Sequence, residues 1–135
     1  AVSAHAVEPG RLILEVSENA FILNDEGVLR VLRSLKEIGV RSAIDDFGMK
    51  LGSLRQLREL PVEIVKLDHS LLDHRGTDGE RFVLAEGVIN FLARLRKQTV
   101  LAGIEDEAYL APFLSNTSLR FQGLYFGKPV PAAEL

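Results

Sequence analysis

Polar side chains stand at or just beyond the ends of several apolar stretches of this sequence. They are Glu15, Asp45, Asp46, Lys66, Asp68, Glu105 and Gln122. Adjacent carboxylates such as Asp45 and Asp46, joined by Glu15, supply the oxygen ligands that magnesium and manganese prefer. Two such ions can hold a displacement at phosphorus in line, and a lysine can neutralise phosphate charge. An Asp-Asp pair that ends a strand is also common as a helix cap or a solvated loop pair, so spacing alone leaves both interpretations open.

Strands and helices that could position these side chains alternate along the chain. Apolar stretches predict strands at residues 11–17, 41–47, 63–68, 99–104 and 120–126. Helical spacing predicts a helix from a cap at Asn24 or Asp25 to Ile38, and further helices over residues 54–60 and 80–97. A weaker helical pattern at residues 107–114 contains Pro112, which predicts a break or two short turns.

This alternation is typical of a parallel α/β sheet with right-handed crossovers. Because the carboxyl ends of parallel strands meet at one edge, the polar residues are expected to gather there, where such folds build their sites. The pattern leaves two architectures open, an open doubly wound sheet and part of a (β/α) barrel. We expect about four βα units plus a terminal strand, and 135 residues are too few to close an eight-unit barrel.

Composition narrows the classes of function. The net charge is −3 with both signs interspersed, so there is no basic field for duplex nucleic acid. The chain has no cysteine, which excludes disulfides and zinc–cysteine sites. No apolar run approaches the ~20 residues of a membrane span, and the first residues do not form a signal peptide. The three histidines, His5, His69 and His74, are scattered and predicted to be exposed.

Five segments in one order resemble the EAL family. They are LEVSE (14–18), IDDFG (44–48), PVEIVKLD (61–68), AGIE (102–105) and QGLYFGKP (122–129). The corresponding family patterns are ExTE, DDFGTG, LPxDxxKID, AEGVE and QGYxxxxP. The resemblance covers residues 11–135 and identifies them as the C-terminal half of an EAL-like domain, preceded by an N-terminal segment at residues 1–10.

The resemblance implies a fold, a reaction and a role for each matching residue. The fold would be part of a modified TIM barrel, and the family reaction is the hydrolysis of cyclic di-GMP to pGpG with two magnesium or manganese ions. Glu15, Asp45 and Asp46 match metal ligands. Lys66 matches the lysine near the attacking water and phosphate, and Gln122 matches the late glutamine of the site. The remaining matches are a ligand-binding glutamate at Glu105 and a loop-anchoring glutamate at Glu18.

Departures from the family pattern put catalysis in doubt. The EAL motif and a downstream asparagine ligand belong to the barrel half that would precede this chain. The first glutamate of AEGVE is Ala102 here, and the loop after DDFG carries Met49, Lys50 and Leu51 in place of Thr-Gly-Tyr. These losses favour a catalytically inactive cyclic di-GMP receptor or protein-interaction module, with a weak or absent metal site.

Two alternatives remain beside that reading. One is a phosphodiesterase that regains activity when the missing half is present, and the other is a scaffold that binds no nucleotide. An incomplete barrel leaves two sheet edges, so either an N-terminal half or a protein partner or dimer is expected to cover them. A bacterial, cytoplasmic location follows from the resemblance only.

Overall fold

A computed structural model describes residues 7–22, 26–48, 54–72, 82–131 and 133. The strands are β1 (Ile13–Ser17), β2 (Arg41–Phe47), β3 (Ile64–Leu67), β4 (Gln98–Leu101) and β5 (Leu119–Phe121). The helices are α1 (Glu18–Ile22), α2 (Glu26–Glu37), α3 (Leu54–Glu59) and α4 (Val83–Arg94). Short 3₁₀ turns occur at Pro9–Arg11, His69–Leu71, Glu107–Tyr109 and Ala111–Phe113.

The five strands form one sheet in the order β1-β2-β3-β4-β5, and every neighbouring pair is parallel. This confirms the predicted α/β class and the parallel arrangement. Each strand pairs with its successor along the chain, as the strands of a (β/α) barrel do. Within the described residues β1 and β5 are the two edges of the sheet.

The two faces of the sheet differ in character. One face packs against the helices and carries the core, with Ile44, Val65, Leu67 and Leu101 each at most 1% exposed. The opposite face lines a cavity of about 260 Å³, and we call it the cavity face. It carries Ile13, Glu15, Arg41, Ala43, Ile64, Lys66, Gln98, Val100, Arg120 and Gln122. The alternation of side chains along each strand therefore separates an apolar core from a polar face.

Several predicted boundaries were wrong. The last strand ends at Phe121 instead of residue 126, because Phe126 N–H closes a turn onto the Gly123 carbonyl. β4 ends at Leu101 instead of residue 104, and α1 was not predicted, since its five residues are too short for a helical pattern. The broken helix around Pro112 is confirmed as two 3₁₀ turns.

The starts of two predicted helices can be compared with the structure. α2 begins at Glu26, directly after Asp25. The two alternative predicted caps, Asn24 and Asp25, lie outside the described residues. α4 begins at Val83, inside the predicted range of 80–97, and residues 73–81 are likewise outside the description. None of the described helices is long and apolar enough to cross a membrane.

Candidate functional site

A β-bulge at the carboxyl end of β2 places the two consecutive aspartates. Ile44 pairs with Val65 and Phe47 with Leu67, so Asp45 and Asp46 together stand opposite the single residue Lys66. Asp46 takes up the extra residue with a φ of 54°, a left-handed conformation that Asp tolerates better than most residues. In a regular strand neighbouring side chains point to opposite faces. The bulge breaks that alternation at the position where the resemblance calls for two adjacent carboxylates.

Lys66 is the centre of the polar cluster on the cavity face. Its ammonium nitrogen lies 2.8 Å from Glu15 Oε2 and 3.0 Å from Asp45 Oδ1. The lysine side chain is only 9% exposed, whereas the Glu15 and Asp45 side chains are 44% and 32% exposed. Burial alone would lower the pKa of Lys66, but hydrogen bonds to both carboxylates and their charges outweigh it, so the pKa is raised. Lys66 is therefore a fixed positive charge at neutral pH.

The cluster has carboxylates of the right chemistry for a hard cation but does not by itself fit one. Within the described ranges, no three His, Asp or Glu side chains group closely enough to hold a metal ion. The Lys66 ammonium lies between Glu15 and Asp45, where a cation bound to both would sit. Among the described residues, Asp46 is exposed and makes no ion pair with Lys66, unlike Glu15 and Asp45.

Gln122 and Ala102 complete this end of the cavity face. Gln122 follows β5 directly, lines the same cavity as Glu15 and Lys66, and its backbone N–H donates to the Leu101 carbonyl. Ala102 follows β4, with its N–H donating to the Leu67 carbonyl. Val100 pairs with Lys66, and continuing the alternation of β4 by two residues puts Ala102 on the same face as Val100. The position where the family pattern has a glutamate therefore carries a methyl group on the face that holds the cluster.

Glu18 lies behind the cluster and contacts the segment that leaves β2. It is 5% exposed, and its Oε2 accepts a hydrogen bond of 3.3 Å from the Gly48 backbone N–H. A buried carboxylate needs such partners, because its desolvation is otherwise costly. The loop-anchoring role that the resemblance implies for Glu18 stays a prediction. The altered loop residues Met49, Lys50 and Leu51 lie outside the described residues.

Glu105 lies apart from the Lys66 cluster. It lines a separate cavity of about 240 Å³ together with His69, Gly103 and Tyr109. This cavity stands beyond the carboxyl ends of β3 and β4, on the same edge of the sheet as the cluster. Of the predicted residues, Glu15, Lys66 and Gln122 thus line one cavity and Glu105 lines the other.

Sequence reasoning missed several polar residues of this face. Arg41 Nε donates to Glu63 Oε2 at 2.8 Å, and Arg41 Nη2 donates to Gln98 Oε1 at 3.1 Å. Arg120 shares the cavity with them. Counting back by two along the strand from Gln122 would have found Arg120. His69 is exposed as predicted, yet it lines the Glu105 cavity, which no sequence spacing indicated.

Comparison of the sequence with known proteins assigns this chain to a family. The EAL domain family model matches residues 1–129, so the chain belongs to the EAL domain family. The bifunctional diguanylate cyclase/cyclic di-GMP phosphodiesterase MucR of Pseudomonas aeruginosa is 32% identical over 136 residues, which cover all of this chain and 20% of MucR.

Two solved structures show the same fold. The PaMucR phosphodiesterase in complex with cyclic di-GMP superposes with a TM-score of 0.86 at 29% identity, over 98% of this chain and 54% of that one. The EAL domain of Mycobacterium smegmatis DcpA gives a TM-score of 0.86 at 28% identity, over 98% of this chain and 60% of that one. The chain therefore spans a little over half of each solved structure, which agrees with a partial TIM-like barrel.

Proposed function

We propose that this EAL domain acts in bacterial cyclic di-GMP signalling as a receptor or protein-interaction module with little or no hydrolytic activity. Residues 11–135 form the C-terminal half of the domain, and residues 1–10 belong to the segment before it. The observation that carries the proposal is Ala102 at the position where the family pattern has a glutamate, because its methyl group can neither ligate a metal nor accept a proton.

The ligand is proposed on two grounds. The PaMucR phosphodiesterase, whose structure is a cyclic di-GMP complex, shares this fold at 29% identity. The carboxyl edge of the sheet also offers one fixed cation, Lys66, for a phosphate and one carboxylate, Glu105, for hydrogen-bond donors. Gln122 adds an amide that can donate or accept in the same cavity as Lys66.

The alternative function is a metal-dependent phosphodiesterase that acts when the first half of the barrel is present. The bulge favours it, since both aspartates that match metal ligands stand opposite Lys66. Glu15, Asp45 and Asp46 would then share magnesium or manganese with ligands from the other half. Such a metal would supply Lewis-acid stabilisation at the phosphate.

The sheet edges support the proposed need for a partner segment. Ile13 and Leu14 on edge strand β1 are 43% and 47% exposed, and an uncovered edge invites further strand pairing. The rest of the native polypeptide, another protein or a second copy would cover them. We propose a cytoplasmic location for this domain. Light scattering of the purified full-length protein would distinguish a monomer from a dimer.

Calorimetric titration of cyclic di-GMP into the full-length protein, with and without magnesium, tests the proposal. Saturable binding in either condition supports a nucleotide-binding domain. Lys66→Met should weaken binding, whereas Lys97→Met, which removes a lysine that donates to the Leu60 and Val62 carbonyls, should not. Absence of binding in both conditions would contradict the proposed receptor role and leave only the protein-interaction module.

A further inference from the structure

The 3₁₀ turn His69–Leu71 lies between the Lys66 cluster and the Glu105 cavity. One residue, Asp68, separates it from β3. The Oδ1 of Asp68 accepts a hydrogen bond of 2.9 Å from the Ser70 N–H. Burial would raise the pKa of Asp68, but the hydrogen bond from Ser70 and the neighbouring His69 outweigh it and lower the pKa. The Asp68 carboxylate is therefore charged at neutral pH and fixes the turn.

On one side the turn packs against Gly48. Gly48 has a φ of 114°, and a Cβ at this position would lie 2.5 Å from Leu71 Cδ1 and 2.6 Å from Leu71 Cγ. Leu71 is 2% exposed, so its side chain has little room to move away. Gly48 is also the residue whose N–H donates to Glu18. The position of Leu71 is thus tied to the anchored segment after β2.

On the other side the turn packs against Gly103. Gly103 has a φ of 74°, and a Cβ there would lie 3.1 Å from His69 Nδ1 and 3.2 Å from His69 Cβ. His69 and Gly103 both line the cavity that contains Glu105. The absence of a side chain at Gly103 therefore allows His69 to form one wall of that cavity.

From these contacts we infer that the turn His69–Leu71 is a positioning element that couples the Glu18–Gly48 anchor to the Glu105 cavity. Leu71 and His69 are its two contact residues. A displacement of Gly48 moves Leu71, because the two are in close contact within a packed core, and the turn then moves His69 against Gly103. The inference rests on the proposed function in that the Glu105 cavity is taken to receive part of the nucleotide.

Leu71→Met in the full-length protein tests the coupling, because the change keeps side-chain volume and alters the contact with Gly48. Leu72→Met is the matched control, since Leu72 is the next residue and is 1% exposed. All three atoms nearest to a Gly48 Cβ belong to Leu71 and none to Leu72. Backbone amide NMR shifts of Gly103 and Glu105 report the position of the cavity wall without any ligand.

In the Leu71→Met variant these two amide signals should move, and cyclic di-GMP affinity should fall about 2- to 30-fold. The Leu72→Met variant should leave both readouts near the wild-type values. By reciprocity, cyclic di-GMP added to the wild-type protein should shift the Gly48 amide signal. If Leu71→Met and Leu72→Met move the Gly103 and Glu105 signals equally, or if neither moves them, the coupling is overturned.

The failure of the proposed function would look different from the failure of the inference. A wild-type protein that binds no cyclic di-GMP contradicts the proposed function, and the ligand-free amide shifts still decide the coupling. A wild-type protein that binds cyclic di-GMP without any change at Gly48 overturns the coupling alone.

Discussion

Lys66→Met is the perturbation whose cost the structure defines most closely. Removing one partner of a fully buried ion pair costs about 3–5 kcal/mol, whereas an exposed pair contributes about 0–1 kcal/mol. Lys66 is 9% exposed, but its partners Glu15 and Asp45 are 44% and 32% exposed and can be solvated. We therefore expect the free energy of unfolding to fall by about 1–3 kcal/mol, between these limits.

A double-mutant cycle makes the test sharper. With Lys66 present, Glu15→Gln should lower the free energy of unfolding by about 0.5–1 kcal/mol, because it weakens a charge-assisted hydrogen bond. In the Lys66→Met background the same substitution should be neutral or stabilising, because it relieves repulsion between Glu15 and Asp45. In the Lys97→Met background Glu15→Gln should cost what it costs in the wild type.

Urea unfolding followed by circular dichroism measures all of these variants. The reasoning is refuted if Glu15→Gln has the same effect with and without Lys66. It is also refuted if Lys66→Met changes the free energy of unfolding by less than about 0.5 kcal/mol, the size of an ordinary surface substitution.

Three further predictions concern packing, pH and metal. Gly123→Ala should lower the free energy of unfolding by about 1–3 kcal/mol or more, because a Cβ would overlap the Ile104 backbone. Gly87→Ala, on the open side of α4, should raise it by about 0.5–1 kcal/mol. Thermal unfolding measures both, and equal effects would contradict the prediction. Because the pKa of Lys66 is raised in the folded state, its charge stabilises the fold fully below about pH 10.4, the pKa of an unperturbed lysine. This contribution is lost as pH rises through the raised pKa, so Lys66→Met should flatten the alkaline loss of stability. The pKa of Lys97 is lowered by burial and by a neighbouring lysine, so its contribution has the opposite sign and Lys97→Met should steepen the loss; a urea-unfolding series across pH 9–11 checks both. Calorimetric titration of the 135-residue chain with magnesium should show weak binding, and tight stoichiometric binding would contradict that.

Much of the fold could be predicted from the sequence because its signals are local. Apolar stretches of six or seven residues between helical patterns predicted all five strands, and Pro112 predicted the break in the weak helix. The end of the last strand was missed because Leu124, Tyr125 and Phe126 are apolar and continue the strand pattern. Their departure from the sheet depends on hydrogen bonds to Ile104 and Gly123, which are contacts that the sequence does not display.

The candidate site was only partly predictable. The parallel-sheet rule predicted that Glu15, Asp45, Lys66 and Gln122 would lie at one edge, and the structure places them there. The bulge could not be predicted, because it depends on how β2 registers against β3 and not on the type of either aspartate. Nor could the separate cavity around Glu105, since its walls come from turns whose positions depend on packing.

Our central proposal is that this EAL domain has little or no activity as a cyclic di-GMP phosphodiesterase. The most direct measurement is pGpG production by the full-length protein with magnesium or manganese, compared with an Ala102→Glu variant. The account predicts negligible pGpG from the wild-type protein, since loss of one such group typically lowers a rate by about 10²–10⁴. Turnover by the wild type comparable with that of an intact EAL phosphodiesterase would contradict the account and establish that Ala102 does not disable the site.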